Sequence, residues 1–243
     1  MRDAPPWLLA IESASERASV ALLRDGEVVG ADPAPPGRPA SETLLPAVLA
    51  LLESHGLAPG ALGGIAVSIG PGSFTGLRVG AATAKGLAFG RNAGLAAVPT
   101  LAALAAKGVA LAGPAAPPEV VAVLDARRGE LYAAAQRGGD PLARPLWGPL
   151  VIGIEALAAR LAAAPGPLLV VGEGADAVAA ALGTDRVRCL PLAPDAAWVG
   201  RLGVRLLAAG EGLAAADLTP AYVRRAEAEV RRLGLSAEPW DVL

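Results

Sequence analysis

Several residue types are scarce in this chain of 243 residues, and each scarcity excludes a class of chemistry. Cys189 is the only cysteine, so neither an intrachain disulfide nor a cysteine-cluster zinc site can form. His55 is the only histidine, so one chain cannot supply a pair of imidazole ligands. A Ser-His-Asp or Cys-His site would have to use that one residue. Aromatics make up 3% and the formal net charge is −2. A free-standing nucleic-acid binder normally shows a basic surface or base-stacking rings, which disfavours that class. Of the 21 Lys and Arg, only Lys85 and Lys107 are lysines. With abundant Ala, Gly and Pro, this bias is that of a GC-rich genome and is not read as chemistry.

Long apolar runs are missing too, although 53% of the residues are hydrophobic. The charge-free stretch Asn92–Ala106 is short and broken by Pro99, whereas a membrane span needs about 20 apolar residues. The run Trp7–Ile11 is too short for a signal-peptide core. The expectation is a cytoplasmic protein with no membrane contact.

What is present is an alternation of strand and helix signals. Trp7–Ser13, Ser19–Leu23 and Glu27–Gly30 read as strands, with Asp25-Gly26 as a hairpin turn. After a proline-rich loop, a helix is predicted over Thr43–Ser54, with Thr43 as N-cap and Pro46 in the first turn. It is apolar nearly all round, through Leu44, Leu45, Val48, Leu49, Leu51 and Leu52. One stripe can face a sheet; the rest needs cover from inside the protein or from a partner. Gly64–Ile69 reads as a buried strand, followed by the segment Gly70–Gly80 and a helix to about Gly90. Gly76, Gly80, Ala84 and Ala88 leave one helix face bare, open either to another helix or to an ordinary helix–sheet contact.

A similar second half begins near Pro99. Leu101–Ala112 is a predicted helix; Glu119–Asp125, Glu130–Gln136 and Ala143–Leu150 are predicted strands. Glu155–Ala164, Leu168–Gly172, Ala175–Leu182, Val187–Leu190 and Ala196–Ala209 continue the alternation. The pattern predicts an α/β protein of two related subdomains, over residues 1–98 and 99–213, with a tail over 214–243. Arg224, Arg225, Arg231 and Arg232 form a basic patch in the tail, read as a solvated helix face, with an RNA-facing role as the alternative.

Strand, glycine loop and helix is the context that cradles phosphate at a helix N-terminus. The spacing fits neither common motif: no Gly-Lys-Ser/Thr follows Gly70, and Thr75 stands where the dinucleotide fingerprint needs glycine. A structural turn is the favoured reading, with Ser73 and Thr75 as caps. The nucleotide-binding candidates are Glu12, Ser13, Gly70, Gly72, Ser73, Thr75 and Asp125. Asp125, beside Arg127 and Arg128, reads as well as a charged hairpin turn, and His55 before Gly56 reads as a helix C-cap. No acid/base or metal apparatus is visible.

Five blocks carry a resemblance. Leu9-Ala10-Ile11-Glu12-Ser13-Ala14-Ser15, Ala18-Ser19-Val20-Ala21-Leu22, Leu44-Leu45-Pro46, the whole of Gly70–Gly80 and Asp125–Tyr132 are in the order seen in the bacterial TsaB (YeaZ) family, and Pro220-Ala221-Tyr222-Val223-Arg224 extends the match. The resemblance implies two ribonuclease-H-like subdomains of the acetate kinase/Hsp70/actin (ASKHA) type. It implies a non-catalytic subunit in making threonylcarbamoyladenosine beside the anticodon of tRNA. The implied partners are the transferase TsaD, TsaE joining through the TsaB–TsaD pair, and a second copy when the chain is alone. Contact with tRNA is then only indirect. ATP and a metal ion belong to partner subunits, and this chain has no cofactor of its own.

The resemblance puts the partner interface on the two N-terminal helices, with Leu44, Val48, Leu51, Gly76, Gly80, Lys85 and Phe89 lining it. A bulky residue at Gly80 is then expected to disrupt pairing without unfolding the chain. Thr100 and Leu104 stand where TsaD carries two metal-binding histidines, and neither can replace imidazole. Glu12 replaces the family's usual Asp, which argues further against nucleotide hydrolysis. The alternatives are an ATP-dependent phosphotransferase of the same fold and a homodimeric nucleotide-binding regulator.

Overall fold

The computed structural model describes residues 6–33, 38–91, 93–183 and 187–224. These described residues divide into two compact units: those up to 103 together with 194–221, and those of 104–193 together with 222–224.

The first unit is built on a five-stranded sheet. β1 (Trp7–Glu12), β2 (Ser19–Arg24) and β3 (Glu27–Pro33) form an antiparallel meander, and β4 (Gly64–Gly70) and β5 (Gly94–Pro99) add in parallel, giving the order β3-β2-β1-β4-β5. The Asp25-Gly26 turn has φ of 52° and 87°, the left-handed pair that a tight hairpin requires. α1 (Ala40–Ser54) and α2 (Phe74–Ala88) pack beside each other and contact the sheet. Between them and the sheet lies a core of Leu9, Ile11, Val20, Leu22, Leu44 and Val48, among others.

α1 begins at Ala40, with Pro39 in the N-cap position, earlier than the sequence implies. The Thr43 hydroxyl donates back to the Pro39 carbonyl (3.2 Å) and does not cap. Pro46 therefore sits inside the helix, where its missing N–H removes one backbone hydrogen bond. His55 does close this helix as its C-cap, with ring nitrogens 2.9 Å from the Leu51 carbonyl and 3.3 Å from that of Val29 on β3.

α3 (Thr100–Ala112) follows β5 directly. The second unit repeats the sheet. β6 (Glu119–Asp125), β7 (Glu130–Arg137) and β8 (Trp147–Gly153) form the meander, with β9 (Leu168–Gly172) and β10 (Val187–Leu190) parallel to β6, in the order β10-β9-β6-β7-β8. Read outward from the meander's end, both sheets have the strand order 3-2-1-4-5. α4 (Ile154–Ala162) and α5 (Ala175–Leu182) pack against each other, and their Leu157, Leu161 and Val178 join the core beneath β6 and β7. Cys189 is half-buried on β10, and burial pushes its thiol pKa up.

One assignment differs from the sequence expectation. α6 (Ala196–Ala208) is not part of the second unit but packs on β1, β2, β4 and β5. Its Gly200 and Gly203 make this fit: a Cβ on Gly200 would fall closer than 3.0 Å to Leu23, and one on Gly203 as close to Ala66. No described helix is long and apolar enough to cross a membrane.

Candidate functional site

The candidate residues of the first unit meet where β1 and β4 end and α2 begins. Glu12 is fully buried. Its Oε1 accepts the Ala14 N–H (2.5 Å), and among the described residues no donor bonds Oε2. Burial raises its pKa to about 7; the Ala14 amide, the Ser68 hydroxyl and the Ser15 amide oppose that rise, and Asp195 adds to it. β1 therefore does not end in solvent: the glutamate side chain lies inside the unit. Ser13 is buried as well, donating its N–H to Ser68 Oγ (3.3 Å) and its hydroxyl to the Gly76 carbonyl (2.9 Å).

The glycine segment is closed over this corner. Ser73 donates its N–H to the Ala14 carbonyl (2.6 Å), and its hydroxyl accepts the Gly76 N–H (3.2 Å) as the N-cap of α2. The Gly70 N–H goes to Thr100 Oγ1 (3.1 Å). A Cβ on Gly72 would fall closer than 3.0 Å to Ala14. The amides of Gly70, Ser73 and Gly76 are thus engaged within the chain. Thr75 is exposed in the first turn of α2. Thr100 and Leu104 are both fully buried.

Asp125 belongs to the second unit, apart from the others in the chain's division. It ends β6 exposed, its Oδ1 accepting the Arg127 N–H (2.8 Å). Arg127, Arg128 and Gly129 all lie in the left-handed region, with φ of 68°, 60° and 75°. For each arginine this costs about 1–2 kcal/mol. Arg224 holds the turn from both sides: Nη1 donates to the Ala126 carbonyl (3.0 Å) and Nη2 pairs with Glu130. Two of the blocks that carry the resemblance are thereby joined. Arg224→Met is expected to lower stability by about 2 kcal/mol, by leaving the partly buried Glu130 carboxylate and a carbonyl without their donor; urea unfolding measures it. Arg225, Arg231 and Arg232 lie outside the described residues.

The two N-terminal helices require a correction. Leu44, Val48 and Leu51 are buried in the unit's own core, not on a partner-facing surface. Gly76 and Gly80 are bare for an internal reason: a Cβ on either would fall closer than 3.0 Å to Ser13. Lys85 is half-buried, its ammonium 3.5 Å from the Ala216 carbonyl. Phe89 stands out at 83% exposure, and Leu45 and Leu49, one turn apart on α1, are 48% and 47% exposed. Sequence reasoning did not single out the last two as the leucines left exposed, although an all-round apolar helix was the signal. Among the described residues, no group of three or more His, Cys, Asp or Glu could hold a metal ion.

Comparison with known proteins supplies the remaining context. The family model for TsaD, tRNA N6-adenosine threonylcarbamoyltransferase, matches residues 26–159. A relative from Bacillus subtilis, the tRNA threonylcarbamoyladenosine biosynthesis protein TsaB, is 37% identical over 125 residues. That match spans 51% of this chain and 52% of the relative, so the chain covers about half the length of such relatives. The solved structure of YeaZ from Pseudomonas aeruginosa superposes with a TM-score of 0.76 at 30% identity, covering 89% of this chain and 99% of that one. An activator of 2-hydroxyisocaproyl-CoA dehydratase from Clostridium difficile shares the fold alone, with a TM-score of 0.50 at 9% identity. The repeated five-stranded sheets are those of the ASKHA fold, and the chain belongs to the TsaB/YeaZ family.

Proposed function

We propose that this chain serves tRNA threonylcarbamoyladenosine biosynthesis as a non-catalytic subunit that binds the transferase TsaD through α1 and α2. TsaE joins through that pair, and the chain pairs with itself when TsaD is absent. The observation that carries this reading is the set of large apolar side chains left exposed on these helices: Leu45, Leu49 and Phe89. Isolated exposed leucines are ordinary, but a phenylalanine at 83% exposure at the end of α2 and an i, i+4 leucine pair on α1 are the residue types of an interface anchor. The non-catalytic part rests on Glu12 and Ser13, which are sealed and engaged internally where a phosphotransferase would need them facing substrate.

The test is size-exclusion chromatography with light scattering, with TsaD from the same organism titrated in. A one-to-one complex is expected to grow as the homodimer peak falls. Leu45→Glu with Leu49→Glu, and separately Phe89→Ser, should weaken that complex by roughly tenfold or more. Both changes lie on exposed positions and should leave the thermal unfolding curve nearly unmoved. A complex of wild-type strength in both variants, or ATP turnover by the chain alone, would overturn the reading.

A further inference from the structure

The outer rows of α1 and α2 are complementary to each other. On α1, Leu45, Leu49 and Glu53 follow at steps of four, and all are exposed. On α2, Arg78, Ala82 and Gly86 follow at the same step and are exposed as well. Residues four apart in a helix share a face and lie about 6 Å from one to the next. One row therefore offers two projecting leucines and then an acid. The other offers a base and then two places with little or no side chain. Packing inside the chain does not explain glycine at position 86. A Cβ on Gly86 meets nothing within 4 Å, unlike those on Gly76 and Gly80, and glycine is less favourable than alanine in a helix.

The charges divide in the same way. Glu42 and Glu53 are the only charged residues of α1, and Arg78 and Lys85 the only ones of α2. Glu42 is paired with Arg38 (3.1 Å), and the Lys85 ammonium lies 3.5 Å from the Ala216 carbonyl. Arg78 stands over the Phe74 ring, 3.9 Å from its centroid, which fixes where its guanidinium lies. Glu53 and Arg78 do not meet within one chain. β3, β4 and β5 all run in one direction, so α1 and α2, which connect them in turn, lie side by side pointing the same way. Glu53 is thus at one end of the helix pair and Arg78 at the other. A two-fold axis across the pair reverses the second copy, and each α1 then meets the other copy's α2 antiparallel. Pairing α1 with α1 would bring only acids together, and α2 with α2 only bases.

We propose that a second copy of this chain docks on these helices in one register: Glu53 of each copy against Arg78 of the other, Leu49 over Ala82, and Leu45 over Gly86. The common step of four makes the three contacts coincide, and the two-fold axis makes each of them twice. Phe89, three residues past Gly86, closes the row beyond Leu45. The inference rests on the reading that the chain pairs with itself through α1 and α2, and adds the register and the charge pair that selects it.

Light scattering over a dilution series tests it, on the full chain and on the variants Glu53→Arg and Arg78→Glu. Either variant alone sets like charges together twice in each dimer, and its self-association is expected to weaken by roughly tenfold or more. Mixed in equal amounts, the two variants regain opposite charges at both places, and the mixed dimer should come within about threefold of wild-type strength. A fault confined to folding cannot be repaired by mixing. Wild-type pairing in both single variants, or no recovery in the mixture, overturns the register and leaves self-pairing standing. A wild type that stays monomeric at about 100 μM overturns self-pairing, and the register with it.

Discussion

Gly76→Ala is expected to leave little folded protein. In an ordinary helix interior this exchange stabilises by about 1 kcal/mol. Here the added Cβ would fall closer than 3.0 Å to the Ser13 carbonyl oxygen. That atom is backbone and cannot swing away. The Ser13 hydroxyl is also bonded to the Gly76 carbonyl, so β1 and α2 cannot separate without losing a buried hydrogen bond. Overpacking with a lost bond puts the cost at about 3 kcal/mol or more. Gly86→Ala is the control, because a Cβ there meets nothing within 4 Å on the same helix. It should raise the urea midpoint while Gly76→Ala lowers it sharply; equal midpoints would show that the approach to Ser13 is not what requires glycine. Gly80→Trp should likewise fail at folding, and not only at pairing as the sequence had implied.

The second large effect is a pH dependence. The Glu12 carboxyl titrates near 7 when folded, against an ordinary value of 4.5. The folded state therefore holds a proton that the unfolded chain releases above about pH 4.5. Its contribution to stability is fully present below that pH, declines as the pH rises to about 7, and is flat beyond. At about 1.4 kcal/mol per pH unit the decline amounts to about 3 kcal/mol. Glu12→Gln removes it, so the variant should gain on the wild type across this window and exceed it at pH 8. Urea unfolding at stepped pH measures both curves, and parallel curves would show that Glu12 does not carry the effect.

Much of the fold was legible because its signals are local. Leu168–Gly172, Ala175–Leu182 and Val187–Leu190 fall where apolar runs and their turns place them, and Asp25-Gly26 makes its hairpin. β5 was not legible: Gly94–Pro99 is small and apolar, and its strand character comes from lying beside β4. α6 was legible as a helix but not in its place, since nothing near Gly200 or Gly203 says which sheet they fit. The candidate site was half legible. Its residues in the first unit do gather at one corner, but the groups that act on Glu12 there include Ser68 and Asp195, which are far along the chain. The apolar girth of α1 showed that a surface would be left over. Which leucines remained outside was decided by the helix's rotation on the sheet, and that is a tertiary property.

The placement of α6 also orders events at the ribosome. Strands β1 to β5 leave the exit tunnel first, but the helix that covers their second face lies beyond residue 193. The side chains of Ala10, Leu23 and Ala66 on that face wait for Gly200 and Gly203 until the whole of 104–193 has been made. At usual elongation rates that is roughly 5–20 s with one face of a nascent sheet uncovered. The segment made later can form its own sheet during that interval, although Arg224, which holds the turn between β6 and β7, is made only after α6, and a chaperone acting on this chain would find its target in the part made first.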